Sequence, residues 1–131
     1  MMQSWTIKLP VAIQVNHKTR FALNLNQYRN AHFHVLNKAK SVFHTEVGAL
    51  IKHLPYMDQA KISYVFYCKT SRDQDVANVC SIVDKFFCDT LVDYKKLPDD
   101  SWRYVPGVEY IFGGIDPKDP RVEATVTKLG T

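Results

Sequence analysis

The chain has 131 residues, 46% of them hydrophobic, and 17 Lys and Arg against 13 Asp and Glu give it a formal net charge of +4. That length fits one domain over 1–131, and the apolar fraction suits a packed globular core. The mild basic excess permits a nucleic-acid partner without requiring one, and the three cysteines, Cys68, Cys80 and Cys88, are odd in number and form no CxxC pair, so neither a disulfide framework nor a zinc knuckle is indicated.

Ser4 to Leu9 alternates Trp5, Ile7 and Leu9 with polar neighbours, which predicts a strand. Pro10 ends or bends it, and Val11 to Val15 is read as a continuation of the sheet. Met1 to Pro10 is too short for a signal peptide or a membrane span, so no membrane partner is expected. With the unpaired cysteines, this points to a reducing cytoplasmic setting. Asn16 to Arg29 is rich in Asn, Lys and Arg and reads as irregular. From about His34 to His53, Val35, Ala39, Phe43, Val47 and Leu50 recur at helical spacing, and Leu54-Pro55 stops the helix.

Lys61 to Cys68 is dense in β-branched and aromatic residues and predicts a strand. Asn78 to Val92 predicts a second helix. Val79, Val83, Phe86 and Thr90 share its apolar face, with Ile82 and Phe87 at the flanks. Asp75 stands at its start, where a carboxylate caps free amides. Leu97 to Asp100 forms a turn. Gly107 to Gly113 and Arg121 to Thr127 predict two further strands, joined by turn-rich sequence. The order predicts an α+β single domain, with a small mixed or antiparallel sheet packed with two main helices.

Two groups of carboxylates flank the second helix. Arg72-Asp73-Gln74-Asp75-Val76-Ala77-Asn78 lies at one end and Asp99-Asp100 beyond the other. Like charges repel, so such grouping calls for a cation or a held proton. At about 100° per residue, Asn78, Lys85 and Asp89 fall within about 40° of one another and form a polar strip beside the apolar face. A Lys–Asp pair on a solvated helix edge is the plainer reading of that strip, worth a few tenths of a kcal/mol. Set between two acidic groups, it also has the parts for metal-assisted phosphodiester cleavage. Mg²⁺ needs only one or two carboxylates besides water and substrate phosphate. Lys85 suits a developing negative oxygen, and Arg72 suits bidentate phosphate binding.

The run from Arg72 to Asp100 resembles the RusA-type Holliday junction resolvases, mainly phage or prophage endodeoxyribonucleases. Their pattern is roughly R-D-x-D-N, a helix with Lys and then D-x-L, and a final D-D pair. Lys85, Asp89-Thr90-Leu91 and Asp99-Asp100 keep that order and similar spacing. Asn24-Leu25-Asn26-Gln27-Tyr28-Arg29 looks like the family's early loop, and Gly113 to Val126 like its closing hairpin. The stretch before Lys85 is longer than in the family. In one register Asp73 and Asp75 are the D-x-D pair, with Val76 in place of Asn. In the other, Asp75 and Asn78 match the first Asp and the Asn, Ala77 replaces the second Asp, and Asp73 or Asp84 makes up the charge.

The resemblance implies a homodimer with two active sites that nick opposed strands of a four-way DNA junction, and Mg²⁺ (or Mn²⁺) as cofactor, with no organic cofactor. It implies Asp75, Asp100, Lys85 and Asp73 as catalytic residues. Asp75 and Asp100 would be the principal metal ligands, with Asp99 and Asp73 in support. Arg72, Asn78, and the basic loop with His17, Lys18, Arg20, Tyr28 and Arg29 would contact DNA.

Three other readings stand beside it. One is a D-x-D phosphatase, which Ala77 and the late position of the motif disfavour. Another is a junction-binding protein without cleavage, which Ala77 favours. The third is a structural protein whose acids are only a cap and a turn. His32 and His34 lack an evident third partner for zinc. Cys80 and Cys88 read as packing residues, and Trp5 and Trp102 as core.

Overall fold

The computed structural model describes residues 2–71 and 75–130. Strands β1 (Ser4–Leu9), β2 (Ala12–Gln14) and β3 (Arg20–Ala22) are followed by helices α1 (Leu25–Asn30) and α2 (Phe33–Leu50). Strand β4 (Gln59–Cys68), helix α3 (Val76–Asp93) and strands β5 (Gly107–Ile115) and β6 (Arg121–Leu129) complete the chain. This is the predicted α+β domain.

The main sheet has the order β1-β6-β4-β5. β6 pairs antiparallel with both β1 and β4, while β4 and β5 are parallel, so the sheet is mixed. Parallel neighbours need a long crossover, and α3 supplies it. β4 is central because every second side chain, Ala60, Ile62, Tyr64, Phe66 and Cys68, is buried. Their shared face meets α3, whose Val79, Ile82, Val83, Phe86, Phe87 and Leu91 are also buried. The Phe86 ring lies parallel to that of Phe21 and meets Phe43 of α2 edge-on, so one residue ties three elements together.

Three local expectations change. Val11 to Val15 does not extend the main sheet: β2 pairs with β3 as a separate two-stranded sheet. Asn16 sets that hairpin, its Oδ1 accepting from the amides of Lys18 (2.8 Å) and Thr19 (2.9 Å). The stretch to Arg29 is therefore not irregular. Beyond β3 it holds α1, which Asn24 caps by accepting from Gln27 N at 2.8 Å. Trp102 is not core but 77% exposed, with the Arg103 guanidinium 5.6 Å from its ring centre.

Candidate functional site

Three side-chain donors hold the Asp84 carboxylate. It lies on α3 at the border between the buried face and the polar strip. Its Oδ1 accepts from Tyr64 Oη at 2.6 Å and Cys88 Sγ at 3.2 Å, and its Oδ2 from Tyr110 Oη at 3.0 Å. The tyrosines come from paired positions on β4 and β5, so the parallel register itself aims both hydroxyls at one acid. Burial, followed by the Cys88 and Asp84 charges, raises the Tyr64 pKa well above its usual value. Burial and then Asp84 do the same for Tyr110 and Cys88. All three groups thus stay protonated and donate.

Asp84 opens onto a cleft of about 280 Å³ that it shares with Ser81, Lys85 and Cys88 of α3, Asp100 and Val105 of the α3–β5 connection, and Val108 of β5. The Asp100 pKa is raised from the ordinary aspartate value, first by partial desolvation and then by the charges of Asp99 and Asp89. Ser81 Oγ is buried without a hydrogen-bond partner. On the far side of Lys85 lies Tyr28 of α1. Lys85 Nζ and Lys40 Nζ are each 6.0 Å from the centre of its ring.

These groups suit a hard divalent cation. The Asp84 Oδ2 accepts one hydrogen bond and keeps a lone pair, the Asp100 carboxylate is crowded by like charge, and the Ser81 hydroxyl lacks a partner. Among the described residues no three His, Cys, Asp or Glu side chains form a metal-holding group. Asp84 and Asp100 are the two carboxylates lining the cleft, and Mg²⁺ sites in general need only one or two carboxylates beside water and phosphate.

The site expected from the sequence is brought together only in part. Lys85 and Asp100 share the cleft, with Asp99 exposed beside Asp100. Asp75 does not join them. It caps α3, accepting from Ala77 N at 3.0 Å. Along the helix axis it stands about 14 Å from Asp84 and about 20 Å from Cys88, beside which Asp100 lies. The expected sharing of one cation by Asp75 and Asp100 is corrected by the rise of the helix between them. Asp73 and Arg72 lie outside the described residues.

Asn78 sits on the strip as expected but is engaged within the fold, its Oδ1 accepting from Leu25 N at 3.1 Å. Lys18 and His17 are exposed in the β2–β3 turn, and Arg29 is exposed on α1. Arg20 lines a different cleft with Asn24, Lys69 and Val79, towards the start of α3. Of the DNA-contacting set, Tyr28 adjoins Lys85. Tyr64, Tyr110 and Lys40 did not figure in the sequence-based site, and Asp84 figured only as a substitute acid. The hint was the i, i+3, i+7 row of Ser81, Asp84 and Cys88 along the edge of the apolar face.

No protein-family model matches the chain, and a search of curated proteins finds no relative.

Proposed function

We propose that this protein is a metal-dependent endodeoxyribonuclease of the junction-resolvase type, cutting branched DNA at the Asp84–Asp100–Lys85 cleft. One observation carries the reading: a carboxylate fixed by two tyrosines opens onto the same cleft as the lysine and the acid of the D-D pair, both of which the resemblance marks. Mg²⁺ or Mn²⁺, if bound there, would supply polarisation of the phosphodiester and a lowered pKa for a water. Asp84 and Asp100 would hold that charge at the cleft. Lys85, exposed and not ion-paired among the described residues, meets the phosphate and stabilises developing negative charge. The proposal includes a homodimer, since resolving a four-way junction takes two opposed nicks, and a reducing cytoplasmic setting, in line with three free buried thiols. Among the described residues no helix is long and apolar enough to cross a membrane.

The separation of Asp75 from Asp100 favours a second reading, a junction-binding protein that no longer cuts. A single assay separates the two. Labelled four-way junction, linear duplex and a phosphate monoester are incubated with Mg²⁺, Mn²⁺ or chelator. Metal-dependent paired nicking of the junction supports the nuclease. Junction binding without nicking supports the second reading, and monoester hydrolysis alone points to a phosphatase.

A further inference from the structure

Three exposed rings cluster in a triangle where α1 passes into α2. His32 and Phe33 have ring centres 4.8 Å apart, Phe33 and His34 4.0 Å, and His32 and His34 4.9 Å. Phe33 is 61% exposed, a large apolar surface left to water. Helical geometry places Lys40 within about 20° of Phe33 around α2 and about 10 Å further along it. Lys40 in turn flanks Tyr28 together with Lys85. Among the described residues neither lysine is ion-paired; Lys85 borders the Asp84–Asp100 cleft, while Lys40, beside the same ring, does not line that cleft. An unpaired lysine such as Lys40 suits an anion, and Phe33 lies on the same side of α2, about two turns before it.

We propose that Phe33, with His32 and His34, forms a stacking platform for an unpaired base, and that Lys40 beside Tyr28 binds the adjoining phosphate of the same nucleic-acid strand. The strand then continues past Lys85 to the acidic cleft. Aromatic faces next to unpaired lysines are the general means of holding single strands, because every base has a face to stack and every nucleotide a charge. Rings accessible only at the surface cannot reach bases inside an intact duplex, so the platform selects DNA or RNA with single-stranded character. This deepens the nuclease reading by naming its substrate feature, and it rests on that reading for the direction of the strand.

The test is fluorescence anisotropy on the full chain in chelator, with labelled single-stranded DNA, single-stranded RNA, blunt duplex and four-way junction. The wild type binds the single strands more tightly than the blunt duplex. Phe33→Ala weakens single-strand binding about tenfold and leaves duplex binding nearly unchanged, while Phe33→Tyr restores it. Lys40→Gln weakens binding to every probe and flattens its salt dependence by about one phosphate contact. Preference for DNA, preference for RNA, or neither would each support the platform and identify the source of the strand. Wild-type affinity for single strands in Phe33→Ala, or an unchanged affinity and salt slope in Lys40→Gln, overturns it. Strand binding by a wild type that cuts nothing removes the nuclease and keeps the platform. Junction cutting by variants whose affinity is unchanged does the reverse.

Discussion

Tyr64 Oη donates to Asp84 Oδ1 at 2.6 Å, joining the central strand of the sheet to the acid of the cleft. The tyrosine is fully buried, so the bond forms in a region with little water to replace it. Tyr64→Phe removes that donor from a charge-accepting oxygen and is expected to cost about 1.5–3 kcal/mol in urea unfolding. Tyr110→Phe acts on the other oxygen from a half-exposed edge strand, where water takes over, and costs less. The double variant should cost other than the sum of the two, because both hydroxyls serve one carboxylate.

Asp84 of α3 and Asp75 at its N-cap separate into a chemical role and a structural one. Asp84→Asn is expected to lower metal-dependent junction cutting about a hundredfold or more, since it withdraws charge from the cleft. Asp75→Ala is expected to leave cutting intact and to lower stability by about 1 kcal/mol through loss of the cap. Cutting rates and unfolding midpoints of the two variants together test the assignment. Loss of cutting in Asp75→Ala with retained cutting in Asp84→Asn would return the site to the start of the helix.

That contrast marks how far the sequence reaches. β1, α2, β4, α3, β5 and β6 announce themselves because each has a long run at one hydrophobic period. β2, β3 and α1 are short. Their signals are the side-chain bonds of Asn16 and Asn24, which look like loop polarity until the partners are placed. Lys85 and Asp100 are legible through motif spacing. Asp84 gains its importance from Tyr64 and Tyr110, which a parallel crossover brings to it from far along the chain. Asp75 and Asp100 look like a pair only when the length of the intervening helix is ignored.

Asp100 gives the cleft its pH dependence. Its folded pKa lies above the ordinary 3.8 because of desolvation and the charges of Asp99 and Asp89. A carboxyl of raised pKa binds its proton more tightly in the folded state. Stability therefore falls as pH rises from the unfolded value through the raised one, where ionisation creates repulsion. Asp100→Asn abolishes that fall. Its melting temperature should match wild type near pH 3 and exceed it by about 1–2 °C at pH 7, a small effect because the group is largely solvated. Cutting should be lost in the same variant. In the wild type it should rise with pH through the raised Asp100 pKa, because the ionised carboxylate is the form that holds a cation. A variant no more stable than wild type at pH 7 would show that the acids do not repel one another there.

Asn78 tests whether α1 is part of the site or only adjacent to it. Its Oδ1 accepts from Leu25 N at 3.1 Å, tying the first turn of α1 to α3. Two turns further along, on the same side of α3, Lys85 faces Tyr28. The bond thus sets the position of the tyrosine against the lysine without touching either. Asn78→Ala leaves a backbone donor unpaired and should lower stability by about 1 kcal/mol, seen as a lower urea midpoint with an unchanged slope. If α1 carries part of the strand path, DNA affinity in chelator falls with it, and the salt dependence keeps its slope because no cation has been removed. Asn78→Asp keeps the acceptor and should restore the fold. Stability lost with DNA affinity untouched would confine Asn78 to holding the helices together and separate α1 from recognition.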